Sequence, residues 1–267
     1  MRPPTLACLI SYRGDLFHGF QRQGDLPTVE LALRRATVGA TGREPIALAV
    51  AGRTDAGVHA RAQVVSFRLP DPPPPDRLRT LINAHLPPGI LVRGCALVGP
   101  SFHARSSALA KRYRYRIERS EADPALQRRA WRLAAPVEML PMIETAKAWT
   151  GRRDCSPFRT GDGGGRSPIC RIDLVRVRER GRLVVIDIEA DRFLRRMARA
   201  MVGRLVAAGS GAPESDCIVA PARGLFLQRI YYAAPLLVGA TAPGGSTASA
   251  MVSRPETTVS TLSAIWA

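Results

Sequence analysis

Apolar residues in this chain fall into short runs and helical stripes that alternate as far as Tyr232. The run Leu6 to Ser11 predicts a first strand. Val29, Leu33 and Ala36 recur at helical spacing, with Thr28 placed to cap that helix, Glu30 in its first turn and Gly39 to Gly42 at its end. Two apolar runs, Ile46 to Val50 and Val64 to Leu69, predict buried strands on either side of the polar string Ala51 to Ala60. Pro70 and Pro72 to Pro75 make a stiff spacer. Arg77 to His85 predicts a helix stopped by Pro87-Pro88-Gly89, and Ile90 to Val98 another strand.

The second stretch repeats this order. Lys111 to Ile117 alternates strictly, so it predicts a strand with Tyr113, Tyr115 and Ile117 on one face and Arg112, Arg114 and Arg116 on the other. Glu138 to Thr150 predicts a helix with Met139, Met142, Ile143, Ala146 and Trp149 inward and Gly151 as terminator. Ile172 to Val177 and Leu183 to Ile188 predict a hairpin about Arg180-Gly181. Phe193 to Gly203 predicts a helix whose buried stripe is Leu194, Met197, Ala198, Met201 and Leu205, with Arg192, Arg195, Arg196 and Arg199 as a basic stripe. A last strand leads to Tyr232. From Gly239 the composition turns to Gly, Ser, Thr and Ala, which predicts a disordered tail.

Strand, helix, two strands, helix, strand therefore occurs twice. The order predicts an α+β fold, organised as 1–107, 108–234 and a tail of 235–267. No repeat is visible residue by residue.

Charge narrows the function. Lysine and arginine total 39 against 22 acids, a formal charge of +17, which points to a polyanionic partner, nucleic acid first and a membrane surface second. No apolar run reaches the length of a membrane span, and Met1-Arg2-Pro3-Pro4 lacks the apolar core of a signal peptide. A soluble, cytoplasmic protein is the expectation. The five cysteines are scattered, without Cys-x-x-Cys pairs, and read as reduced thiols filling core. The four histidines are dispersed, so no metal site is expected.

The chemistry concentrates in Ala51-Gly52-Arg53-Thr54-Asp55-Ala56-Gly57-Val58-His59-Ala60. Glycines flank one carboxylate, Asp55, with Arg53 two residues before it. Such a loop lets backbone approach a ligand and presents a reactive acid; an Asp capping a polar turn is the plainer alternative. The loop His18-Gly19-Phe20-Gln21-Arg22-Gln23 reads equally as an RNA contact or a surface loop. Tyr113 and Tyr115 read either as core tyrosines backed by a solvated basic face, or as an aromatic platform for a base beside phosphate-binding arginines. The glycine-rich stretch Asp162 to Gly165 lacks the lysine of a phosphate loop and reads as flexible backbone.

Taken whole, Ala51 to His59 resembles the signature of the tRNA pseudouridine synthase A family. Gly19-Phe20-Gln21-Arg22-Gln23, Asn83-Ala84-His85-Leu86-Pro87, Phe102-His103-Ala104-Arg105, Lys111 to Tyr115 and Phe193 to Arg199 are similar to further family motifs, in the family's order, from about Leu6 to Tyr232. The resemblance implies two similar α+β halves, each with a mainly antiparallel sheet and helices on one face, meeting at a basic cleft. It implies isomerisation of uridine to pseudouridine at positions 38, 39 and 40 of the tRNA anticodon stem-loop, by a homodimer without cofactor or metal. Carried over residue by residue, Asp55 is the catalytic aspartate, Tyr113 receives the target base, and Arg199, with Arg53 in a lesser role, orients the aspartate and backbone. This sequence departs from the pattern at Asp191-Arg192 and Ala200, and between Gly209 and Pro221 it is about a helix short. Those departures motivate an alternative, a non-catalytic tRNA-binding or chaperone protein on the same scaffold.

Overall fold

A computed structural model describes residues 2–119, 123–161, 167–213 and 218–233, together with the backbone of 259–261. The elements run β1 (Thr5–Tyr12), α1 (Val29–Thr41), β2 (Ile46–Val50), β3 (His59–Arg68), α2 (Pro75–His85), β4 (Ile90–Val98), β5 (Ala108–Glu118), β6 (Trp131–Arg132), α3 (Met139–Lys147), β7 (Gly151–Asp154), β8 (Ile169–Arg180), β9 (Leu183–Ala190), α4 (Met197–Ser210), β10 (Leu225–Ala233) and β11 (Val259–Thr261). This is the expected α+β chain, and the strands join into one continuous sheet of order β4-β1-β3-β10-β5-β9-β8-β7.

The repeat predicted from element order is visible in the topology. β1 lies between β4 and β3, with β2 on the far side of β3; β5 likewise lies between β10 and β9, with β8 beyond. Pairings within each of these sets are antiparallel. They meet through a short parallel contact in which Phe226 and Leu227 of β10 face His59 and Ala60 of β3. The seam therefore starts where the Asp55 loop ends.

Local chemistry explains most boundaries. Thr28 accepts a hydrogen bond from the Leu31 N–H at 3.4 Å, and Gly42 closes α1 in the left-handed region at φ 70°. α2 begins earlier than predicted because Pro75 fits the first helical turn, where its missing N–H costs nothing. α1 packs on α2 and α2 on β4; α3 packs on α4 and β8. Leu6, Ile10, Leu78, Ile82, Ile117, Met142 and Ile186 are fully buried in one cluster spanning both sets of strands. Each such side chain contributes about 1.5–3 kcal/mol over its exposed state.

The structure corrects several expectations. β2 is an edge strand, not a buried one: Ile46 is 43% exposed, since β2 pairs only with β3 and breaks register between Ile46 and Ala49. The last helix starts at Met197 rather than Phe193, because Arg196 takes left-handed backbone at φ 58°. Arg192, Arg195 and Arg196 consequently sit on a connecting loop, and only Arg199 is helical. α3 stops at Lys147, although Trp149 is buried as predicted. Cys8 and Cys95, directly opposed across β1 and β4 with Cα atoms 4.2 Å apart, form a disulfide instead of two thiols. Cys155 and Cys170 are buried free cysteines, as expected. Cys217, the Asp162 to Gly165 stretch and most of the tail lie outside the described residues. The part of the tail that is described, β11, is a strand paired with Tyr231–Ala233 of β10, not irregular chain. Among the described residues no helix is long and apolar enough to cross a membrane.

Candidate active site

The loop from Ala51 to Val58 is held from four directions. The Ala51 N–H donates to the Val64 carbonyl at 2.9 Å, and Gln63 Nε2 donates to the Gly52 carbonyl at 2.7 Å. Tyr12 and Thr54 share a buried hydroxyl–hydroxyl hydrogen bond of 2.7 Å. The Phe20 N–H donates to the Thr54 carbonyl at 3.0 Å, and the Gly57 N–H to the Gly14 carbonyl at 3.2 Å. These bonds fix the backbone on both sides of Asp55, so its side chain is aimed by the scaffold rather than by its own rotamer freedom.

The Gly19-Phe20 stretch is thus neither a plain surface loop nor solely an RNA contact. Phe20 is buried, and Gly19 sits at φ 87° against the Asp55 backbone. A Cβ on Gly19 would lie 2.9 Å from the Thr54 carbonyl oxygen, so any other residue would push the loop away.

Asp55 points into a cleft of about 1110 Å³. Arg199 Nη1 donates to Asp55 Oδ2 at 3.2 Å, and Arg199 Nε donates to the Ala220 carbonyl at 2.6 Å. Arg196 Nε stands 3.9 Å from the same oxygen, Oδ2. Among the described residues, Oδ1 accepts no side-chain hydrogen bond. The carboxylate is 44% exposed to the cleft. Arginine at this distance orients the carboxylate, and the oxygen without a hydrogen-bond donor leaves a lone pair available to a substrate.

Tyr113 lines the same cleft from β5, its ring edge-on to Phe193 with centroids 4.7 Å apart. Burial first, then Tyr12 and Asp55, push its hydroxyl far above the ordinary tyrosine range, so it stays protonated at neutral pH. Tyr115, two residues on, is not part of the cleft. It is fully buried and donates to the Pro221 carbonyl at 2.7 Å. Of the two readings of this strand, Tyr115 follows the core one, whereas Tyr113 stands at the cleft.

Arg53 borders the cleft but is exposed and pairs with no acid among the described residues. The structure thus joins Asp55, Tyr113 and Arg199 closely and leaves Arg53 at the rim. The lining is strongly basic: Arg105, Lys111, Arg159, Arg192, Arg195 and Arg196 add to Arg53 and Arg199, against Asp55 and Asp191.

Other contributors carried no stated role in the sequence. Lys111 is nearly buried beside Gly52, and that burial, with Arg105 nearby, lowers its pKa while Asp191 opposes the shift. Tyr12 and Gln63 brace the loop from β1 and β3. Nothing near them in sequence marks that role, since strand residues 51 apart meet only through pairing. Within the remaining motifs two residues brace the fold: Asn83 bonds both backbone groups of Val92, and the Ala104 N–H donates to Ser66 Oγ, while Arg105 lines the cleft.

Residues 145–220 match the family model described as tRNA pseudouridine synthase. The chain is 40% identical over 204 residues to the tRNA pseudouridine synthase A of Methylacidiphilum infernorum, covering 76% of this chain and 80% of that protein. It is 35% identical to that of Geobacter sulfurreducens, covering 85% of this chain and 99% of that protein. For Methylobacterium nodulans the identity is 37%, with 90% and 100% covered. Identity at this level over nearly whole chains leaves one assignment: this chain belongs to the tRNA pseudouridine synthase A family.

Proposed function

We propose that the cleft carries out the isomerisation of uridine to pseudouridine in tRNA, with Asp55 as its catalytic carboxylate. The observation that carries this reading is the division of labour on Asp55. One oxygen is engaged by Arg199 and approached by Arg196, while the other is open to a basic cleft beside Tyr113.

The reaction breaks the C1′–N1 bond, turns the uracil and forms a C1′–C5 bond. The C5 proton is lost and N1 gains one, so atoms and electrons balance without oxidant or water. A carboxylate serves either as nucleophile at C1′ or as base at C2′, giving a glycal, and the open Oδ1 suits both. The base must leave its stack, and Tyr113 is the ring placed to receive it. Arg199 orients the carboxylate, and Arg53 at the rim contacts the RNA backbone.

We assign the substrate positions to uridines 38, 39 and 40 of the anticodon stem-loop and the working form to a cytoplasmic homodimer, both on the family resemblance. The reading is tested by incubating wild-type protein and Asp55→Asn with unmodified tRNA and mapping pseudouridine by chemical labelling. Label at 38–40 that requires Asp55 supports it. Pseudouridine made equally by both proteins refutes the role of Asp55. The non-catalytic alternative predicts tRNA binding without any label.

A further inference from the structure

The face of the sheet opposite the cleft carries a second basic concavity. Alternation along β5 and β10 separates the two: Tyr113 and Leu225 line the cleft, whereas Arg116 and Phe226 line a cavity of about 390 Å³ on the other side. Arg13, Arg61 and Arg129 complete its basic lining, with His59 at its floor. Its centre is a stack of three groups. The Arg116 guanidinium lies 4.5 Å from the Phe226 centroid, and Phe226 stacks on His59 with centroids 4.5 Å apart and planes at 14°.

The arginines here differ from their neighbours in one respect. On the same face of β5, Arg112 pairs with Glu189 and Arg114 with Asp187. Among the described residues, Arg61, Arg116 and Arg129 pair with no carboxylate. Asp15, beside this cavity's His59, is bonded to Arg13 at 2.7 Å and lies 3.9 Å from both Arg128 and His59. Burial, followed by Arg114, Arg61, Arg129 and Arg180, lowers the pKa of Arg116. Arg116, half-buried on Phe226 without a counter-charge and with the exposed Arg61 and Arg129 beside it, concentrates positive potential in a concave site that suits an anion. A second copy of this chain is a poor source of that anion, since basic residues outnumber acids by 39 to 22. An RNA backbone supplies it at every nucleotide.

We propose that the Arg61–Arg116–Arg129 cavity is a second RNA site, which binds backbone phosphate of the tRNA outside the anticodon stem-loop. The guanidinium of Arg116, held flat on Phe226, presents its donors to the phosphate, with Arg61 and Arg129 flanking it. This inference rests on the tRNA substrate but not on Asp55 being catalytic, so it is tested in the Asp55→Asn background by binding alone.

The measurement is Kd for full-length tRNA and for an isolated anticodon stem-loop across a salt series, with and without Arg61→Gln plus Arg116→Gln. Full-length tRNA is expected to bind about tenfold more weakly at low salt, its salt slope falling by roughly one per lost phosphate contact, while the stem-loop binds as before. Arg129→Gln, on an exposed side chain that bears on no packing, should give a smaller loss of the same kind. Unchanged tRNA affinity in both variants would overturn the proposal, as would equal loss for tRNA and stem-loop. A change of sedimentation to a smaller species with tRNA affinity intact would assign this face to self-association instead.

Discussion

Two carboxylates on opposite faces of this sheet are both held by arginine, and they do different work. Asp187 on β9 is 4% exposed and takes Arg114 at 2.7 Å on one oxygen, with Arg114 and Arg178 sharing the other. Both oxygens are occupied and the group is almost wholly buried. Asp55 has the same kind of partner but a single close contact on a single oxygen, and it faces an open cleft. Guanidinium pairing is therefore no sign of reactivity in itself. What separates a structural acid from a chemical one here is the oxygen left over.

That contrast is broken or sharpened by exchange of effects. Asp55→Asn should lose at least ~10³ in rate, the scale of removing a primary catalytic group, while its unfolding midpoint stays near wild type. A parallel stability loss would mean that Asp55 is structural like Asp187. Asp187→Ala should show the reverse, a stability loss of about 3–5 kcal/mol from stranding two arginines, read by denaturant unfolding, with chemistry retained in the folded fraction. Arg199→Gln removes the donor that holds Asp55 Oδ2, and single-turnover rates should fall about 10²-fold. A fall confined to tRNA affinity would make Arg199 a phosphate contact only.

Smaller effects test the aromatic part. Tyr113→Phe should retain base capture, and Tyr113→Leu should weaken it by about 1–3 kcal/mol, followed with a fluorescent base at the target position. Equal capture by both would remove Tyr113 from that role. The smallest effect concerns pH. His59 Nδ1 accepts the Gly14 N–H at 3.1 Å, and Nε2 faces the carbonyls of Arg128 and Arg223, which fits the neutral ring. Burial, the largest cause, lowers its pKa below the ordinary value. The unfolded chain then takes up a proton that the folded chain resists, so stability should fall as pH drops below ~6.5, and His59→Gln should flatten that fall. A pH profile unaltered by the substitution would mean that the folded and unfolded chains protonate His59 alike, against a lowered pKa in the fold.

The site was unevenly legible. Asp55 stood out because glycines and an arginine cluster around it within a few residues, and Tyr113 because strict alternation assigns it a face. Arg199 was visible as a cation, but the helical stripe proposed for it and its neighbours was wrong. Arg196 adopts left-handed backbone, which a non-glycine residue reaches only under tertiary constraint. Tyr12 and Gln63 had no local signal, because their roles arise from contacts across paired strands; Lys111 was visible within its motif, but not its burial beside Gly52.

By itself, then, the sequence determined the order of elements, the α+β class, the basic character and the acid at the centre of the motif. Those properties depend on near neighbours in the chain: hydrophobic period, capping residues, glycines and summed charge. Only the tertiary structure decided that two sets of strands fuse at β3 and β10, that one oxygen of Asp55 is engaged while the other is free, and that some arginines have acids opposite them while others have none. Those outcomes depend on which side chains meet across strands far apart in sequence, and pairing register, not composition, sets that.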